Sequence, residues 1–188
     1  MADSIEIEFD DKNKRIGILI AVMAAALALV EAGGNNAGQD ALRGTIEASN
    51  TWAFFQAKTI RMTTLNAQAD ALELETAEMK PGPTLEAVKK TVADWRSTAQ
   101  RYDSEPETGE GRKELMAKAR QIEADRDDSA AANATFDLAS SALQLAILLA
   151  SVSVVTSVIW LVYLGAGLGA VGVIVGLMGV YAPHILGG

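Results

Sequence analysis

The last 51 residues of the chain, Leu138–Gly188, contain no Asp, Glu, Lys or Arg. A water-soluble domain in a chain of 188 residues has too little polar surface to cover so long an apolar segment. The sequence therefore predicts a membrane protein whose main partner is the lipid bilayer. As one helix, Leu138–His184 would run about 70 Å, more than twice the roughly 30 Å hydrocarbon core of a bilayer, so a break is required.

The glycine-rich tripeptide Gly165-Ala166-Gly167 is the best place for that break, because it follows the interfacial aromatic residues Trp160 and Tyr163. This assignment predicts a tight transmembrane hairpin. Its first arm, the second transmembrane helix, covers residues 138–164. Its second arm, the third transmembrane helix together with the C-terminus, covers residues 165–188.

An earlier apolar run, Ile16–Val30, predicts a first transmembrane helix over residues 16–32, after an acidic tail over residues 1–15. A cleaved signal peptide is the alternative, because basic residues precede the run and small residues follow it. The acidic side chains of the tail are unusual for a signal peptide and favour an uncleaved anchor. Three basic residues lie just before the run: Lys12, Lys14 and Arg15. Their position predicts a cytoplasmic N-terminus and a polar segment on the periplasmic side.

Small residues recur along the arms of the hairpin at steps of three and four. Helices in lipid gain little from burying apolar surface against each other, so close backbone approach is what lets contacts accumulate. Small residues are also simply common in membrane helices, and that interpretation stays open. The packing interpretation predicts a helix-packing surface at Gly165, Gly169, Gly172, Gly176, Gly179, Ala139, Ala142, Ala146 and Ala150.

The polar segment, residues 33–137, is interrupted by breakers at Pro81-Gly82-Pro83 and between Asp103 and Gly111. These breakers predict helices over about 38–79 and 84–102, and a third from 112 into the second span. The first helix repeats an apolar residue every seven positions: Ile46, Ala53, Ile60, Ala67 and Leu74. Such a heptad seam predicts an extramembrane helical hairpin or three-helix coiled coil. Its small residues bury little area per contact, so we expect several copies to associate.

The segment Asn50–Arg61 carries the sequence Asn-Thr-Trp-Ala-Phe-Phe-Gln-Ala-Lys-Thr-Ile-Arg. It resembles a Trp-Ala-Tyr-Tyr-Gln-Ala-Lys type of motif in a bacterial membrane family known only as domain of unknown function 4337. That family is also similar in layout, with a short first span, a long helix that carries the motif and a closing apolar hairpin. The resemblance implies an all-α membrane fold. It implies no activity, because none is attached to the family.

The same segment contains a candidate partner patch formed by Trp52, Phe55, Lys58, Thr59 and Arg61. On a helix the two aromatic rings share a face, with cations beside them. One interpretation is a docking patch for a partner helix or for lipid headgroups. The other is that the aromatic rings pack against the neighbouring helix of the same chain.

The composition argues against several functional classes. The chain has no cysteine, one histidine and a net charge of −8, which argues against thiol chemistry, a metal site and a nucleic-acid partner. Gly167–Gly172 matches the glycine pattern of dinucleotide-binding loops, but no acidic residue follows it, so we expect no cofactor there. We also expect no catalytic residues and no enzyme activity, because no nucleophile or acid–base constellation is present.

The expected role is therefore assembly. The sequence predicts a homo-oligomeric coiled-coil scaffold, or an accessory subunit of another membrane complex, as a multi-pass protein of the bacterial inner membrane. The alternative is an oligomeric pore in which copies of the glycine-rich hairpin surround a channel. Polar side chains along that hairpin are few, which makes a thin lining for ions.

Overall fold

The protein is all-α. A computed structural model describes residues 11–182 and residue 185, and within them it contains helices and no strand. The acidic tail predicted over residues 1–15 is therefore described only from residue 11. Residues 183, 184 and 186–188 of the predicted C-terminal segment also lie outside the described part. Four helices follow one another: α1 (Asp11–Thr76), α2 (Pro83–Asp103), α3 (Arg112–Thr156) and α4 (Trp160–Tyr181).

Three of these helices, α1, α3 and α4, are long and apolar enough to span a membrane. The apolar windows in α1 and α3 occupy only part of each helix, whereas α4 is apolar throughout its 22 residues. This result fits a membrane protein with three transmembrane helices.

Helix α1 continues through Gly33 and Gly34, so the interruption expected between the first span and residue 38 is absent. Each glycine costs about 1 kcal/mol of helix propensity relative to alanine. Packing offsets that cost here. A Cβ atom at Gly33 would lie 2.9 Å from Cζ of Phe136, and one at Gly34 would lie 3.1 Å from Cβ of the same residue. The glycines let the Phe136 side chain come close to the α1 backbone.

The turn of the hairpin lies at Ser157–Ile159, and the break predicted at Gly165-Ala166-Gly167 is wrong. Ser157 adopts a left-handed conformation with φ of 58°, which reverses the chain after α3. The hydroxyl of Ser153 donates a hydrogen bond to the carbonyl of Val158 at 2.8 Å and satisfies an acceptor in the turn. Gly165 lies inside α4 and is buried, so it serves close helix packing and does not form the turn.

The chain forms two compact units. Among the described residues, the apolar unit comprises those up to Leu42 and those from Arg126 onward, and the polar unit comprises Arg43–Asp125. Two buried clusters form the core of the apolar unit. One is built around Ile16, Met23, Ala146 and Ala150, and the other around Val30, Phe136, Ala139 and Leu143.

In the polar unit, α1 does not pack through the predicted seam. Ile46, Ile60 and Leu74 of that seam are 56%, 64% and 77% exposed. The face turned inward is offset by two residues and holds Ala48, Thr51, Phe55, Lys58, Met62, Leu65, Ala69 and Leu72, all buried or half-buried. It has the same heptad spacing but smaller or amphipathic side chains, which let the helices approach closely.

Candidate functional site

Five of the six glycines of α4 form one continuous buried face in the apolar unit. All five predicted packing residues are buried: Gly165, Gly169, Gly172, Gly176 and Gly179. Of the predicted alanines on α3, Ala139, Ala146 and Ala150 are fully buried, and Ala142 is half-buried. The structure thus brings these two sets of residues together within one chain.

Larger side chains of α1 fill the notches that the glycines leave. A Cβ atom at Gly169 would lie 2.8 Å from Sδ of Met23, and one at Gly176 would lie 2.9 Å from Cγ2 of Val30. A ring also fits such a notch, because a Cβ at Gly179 would lie 3.2 Å from Cε1 of Phe136. The space beside these glycines is therefore already filled by side chains of the same chain.

Helix α1 has a second small-residue face that no described residue covers. Ala21, Ala24 and Ala28 are exposed, and a Cβ atom at Gly17 would meet nothing within 4 Å. Opposite the α4 glycines, the residues of α1 that pack inside the unit are large ones such as Met23 and Val30, whereas further along the helix Gly33 and Gly34 leave room for Phe136. The buried face of α1 packs against both α3 and α4, and the exposed small-residue face does not.

A polar pair lies on the outside of the apolar unit. The amide of Gln144 donates a hydrogen bond to Oε1 of Glu31 at 3.2 Å, and both residues are exposed. Gln144 lies seven residues beyond Asp137, the last charged residue of α3, which places it about 10 Å further along the apolar helix. Ionisable side chains at such depth are costly in lipid and are almost always covered by protein or water.

The predicted partner patch is largely used inside the polar unit. The indole of Trp52 donates a hydrogen bond to Oε1 of Glu123 on α3 at 2.8 Å, and its ring packs edge-on against Phe55 with centroids 5.3 Å apart. The guanidinium of Arg112 lies 5.7 Å from the centroid of Phe55. These contacts correspond to the alternative in which the aromatic rings pack against a neighbouring helix.

The other three patch residues differ in their surroundings. The ammonium of Lys58 lies 5.0 Å from the ring centroid of Tyr102 and 3.7 Å from the carboxylate of Glu110. Thr59 donates its hydroxyl to the carbonyl of Phe55 at 2.8 Å, within the helix. Arg61 is exposed and has no hydrogen-bond or ion-pair partner among the described residues.

Sequence reasoning missed Phe54, whose side chain is 64% exposed beside Lys58 and Arg61. The aromatic pair at positions 54 and 55 gave no signal of which ring faces outward. Only the register of the inward face, through Thr51 and Phe55, decides this.

Charged groups join the α2–α3 connection to the start of α3. Asp103 accepts hydrogen bonds from Lys113 at 2.7 Å and from Arg112 at 2.9 Å, and these bonds hold the pKa of its carboxyl below the usual value. The Ser104 hydroxyl donates to Glu114 at 2.6 Å and likewise lowers the pKa of that carboxyl. Across α1 and α2, Arg96 bridges Asp70 and Glu73. Each of these carboxylates thus has a cationic or hydroxyl partner within the polar unit.

No group of three or more His, Cys, Asp or Glu side chains in the described part of the chain is arranged to hold a metal ion. His184 lies outside that part.

Comparison with known proteins gives one family match. The family model described as domain of unknown function (DUF4337) matches residues 12–182, nearly the whole chain. No curated protein and no solved structure matches significantly. The family match confirms the resemblance seen around Asn50–Arg61, and its span includes all four helices. The chain therefore belongs to the DUF4337 family.

Proposed function

We propose that this protein is a homo-oligomeric scaffold of the bacterial inner membrane, or an accessory subunit of a larger membrane complex, which associates through α1. The observation that carries the proposal is the exposed heptad seam in the polar unit. Ile46, Ile60 and Leu74 project from one face at a seven-residue repeat and are more than half exposed. Helices with such a repeat pair with other helices of the same repeat.

A second copy of α1 fits this seam. The seam alternates large residues with Ala53 and Ala67, which are exposed as well. Large side chains of one copy can enter the spaces beside the alanines of the other, as knobs enter holes in a coiled coil. The inward face of the same helix is already used by α2 and α3, so the two faces serve different partners.

The membrane side supports association too. The Glu31–Gln144 pair faces outward from the apolar unit, and the exposed small residues of α1 lie beside Glu31 on the same helix. Protein cover would remove this polar pair from lipid, and the small residues would let a neighbouring helix approach closely.

The proposed orientation places the N-terminus in the cytoplasm and the polar unit in the periplasm. Its support is the basic cluster Lys12, Lys14 and Arg15 immediately before the first apolar run.

The decisive experiment is the mass of the detergent-extracted particle, measured by native mass spectrometry for the full chain and two variants. The wild type should give a multiple of the 19.8 kDa chain mass. Ile60→Lys should lower the copy number, because it places a charge in the seam. Ser97→Lys, at an exposed position on α2, should leave it unchanged. An additional co-purifying protein would identify an accessory subunit, and a wild-type monomer without a partner would contradict both forms of the proposal.

The absence of cysteine allows a second test. Ala53→Cys introduces a single thiol in the seam, so any disulfide must join two copies. We expect efficient oxidation to a dimer for Ala53→Cys and little for Ser97→Cys. Equal cross-linking of both variants would point to random collision in place of a specific interface.

A pore is the second candidate. Ser141, Gln144 and Ser151 are exposed on one side of α3 and give an oligomer a polar strip in its apolar unit. The five buried α4 glycines contribute nothing to such a lining, because they contact α1 and α3. Ion flux into liposomes that contain the purified protein, lost in Gln144→Leu, would favour the pore over the scaffold.

A further inference from the structure

A cleft of about 510 Å³ opens in the polar unit between α1, the α2–α3 connection and the start of α3. Its apolar surface comes from Phe54, Ala57 and Leu115. Pockets for small organic ligands have volumes of roughly 300–1,000 Å³ and combine apolar walls with a few polar groups. The cleft therefore has a size and an apolar surface suited to a small molecule with an aromatic or short aliphatic group.

Three cations line the same cleft: Lys58, Arg61 and Lys118. Lys58 is only 14% exposed, yet its ammonium has no hydrogen bond among the described residues, only Glu110 at 3.7 Å and the face of Tyr102. The ammonium of Lys118 also has no hydrogen bond among the described residues; it lies 3.7 Å from the carboxylate of Glu47, and the Lys118 side chain is 60% exposed. An ammonium offers three N–H donors, so both lysines keep donors for a ligand.

Arg61 adds the clearest signal. Its guanidinium lines the cleft and has neither a hydrogen bond nor an ion pair within the described part of the chain. The five N–H donors of a guanidinium match the oxygens of a phosphate or carboxylate in a bidentate arrangement. Two carboxylates, Glu47 and Glu110, face three cations here, so the cleft is locally positive although the chain carries −8.

We propose that this cleft binds a small amphipathic anion, an organic phosphate or carboxylate that carries an aromatic or short apolar group. The anionic group contacts Arg61 and Lys58, which lie three residues apart on α1, and the apolar group lies against Phe54 and Leu115. The cleft lies beside the exposed seam of α1, because Ala57 and Arg61, which line it, are three residues before and one residue after Ile60.

Phenyl phosphate is a suitable probe, because it is soluble and carries both groups. Its binding is measured by isothermal titration calorimetry on the full chain in nanodiscs of zwitterionic lipid at pH 7. We expect saturable binding, with phenol and inorganic phosphate each at least tenfold weaker. Repeating the titration in discs with anionic lipid distinguishes the sources, since competition identifies a lipid headgroup and its absence identifies a soluble ligand.

Variants test the assignment. Arg61→Gln should weaken binding by about tenfold or more, the expected loss for charge-assisted hydrogen bonds. The fold should tolerate the change, because Arg61 has no partner to lose. Lys90→Gln, at an exposed position on α2, is the matched control and should bind as the wild type does. Absence of saturable binding, or equal affinities of the wild type and Arg61→Gln, would overturn the proposal.

Discussion

Replacing Gly172 by alanine should separate α4 from α3, whereas the same change at Gly167 should not. A Cβ atom at Gly172 would lie 2.9 Å from Cγ of Leu143, 3.1 Å from the carbonyl oxygen of Ala139 and 3.2 Å from the amide nitrogen of Leu143. Two of these atoms belong to the α3 backbone and cannot rotate away. At Gly167, on the same helix, an added Cβ meets nothing within 4 Å.

The magnitude follows from two opposing effects. Alanine is favoured over glycine in a helix by about 1 kcal/mol, and both variants gain this. Overpacking a close contact costs about 1–3 kcal/mol, and only Gly172→Ala is destabilised in this way. Larger residues at position 172 increase the separation, so Gly172→Leu should also reduce the yield of assembled particle. Relative to the Gly167 control, we expect Gly172→Ala to be less stable by about 1–3 kcal/mol.

The assay is the thermal midpoint of each purified variant in the same detergent, followed as the fraction that remains monodisperse after heating. For a chain of this size, 1 kcal/mol corresponds to roughly 2–4 °C, so the two midpoints should differ by roughly 2–12 °C. Equal midpoints would refute the packing argument, because they would show that the space beside Gly172 is not limiting.

Two further predictions concern the polar unit. Because the pKa values of Asp103 and Glu114 are lowered by bonds present only in the folded state, their stabilisation is complete above the unfolded pKa of about 4 and is lost as the pH falls through the lower folded values. The thermal midpoint should therefore decrease as the pH is lowered below about 4. The decrease should be less steep in Asp103→Asn, which lacks one of the two carboxyls. Gly111→Ala should lower the midpoint at neutral pH, because the added Cβ would lie 2.7 Å from Cα of Ser104 and overlap Glu114. Gly82→Ala is its control, since its nearest contact is 4.0 Å away, and equal loss in both variants would contradict the steric reason.

Much of the helical order was predictable from the sequence, because strong local signals determine it. Prolines and glycines lie in the connections between the helices, around 81–83 and 104–111. The helices α2 and α3 begin within a residue of the predicted positions. The absence of charge after Asp137 indicates apolar helices without any knowledge of their partners.

The turn of the hairpin was not predictable in the same way, because no strong breaker marks it. It depends on one residue with positive φ, Ser157, and on the hydroxyl of Ser153. Glycines that would end a helix in water are instead kept within α4, where they supply room for Met23 and Val30.

The register of α1 was equally hidden. Two heptad patterns run along its polar half. The larger residues of one pattern, including Ile46 and Ile60, predict that this pattern is the buried face. The structure buries the other, with Ala48 and Ala69, because close helix approach favours small side chains. Such a choice depends on the neighbouring helices and cannot be read from one helix alone.

The turn at Ser157–Ile159 carries no charged side chain, so nothing anchors it in water while the chain leaves the ribosome. We expect α4 and the apolar end of α3 to enter the bilayer together, as one insertion event. The hairpin itself then contributes no charge that selects its orientation, so in the proposed topology its direction follows from the charged segments that precede it. Reversing the charges of Lys12, Lys14 and Arg15 should therefore weaken the proposed preference for a cytoplasmic N-terminus.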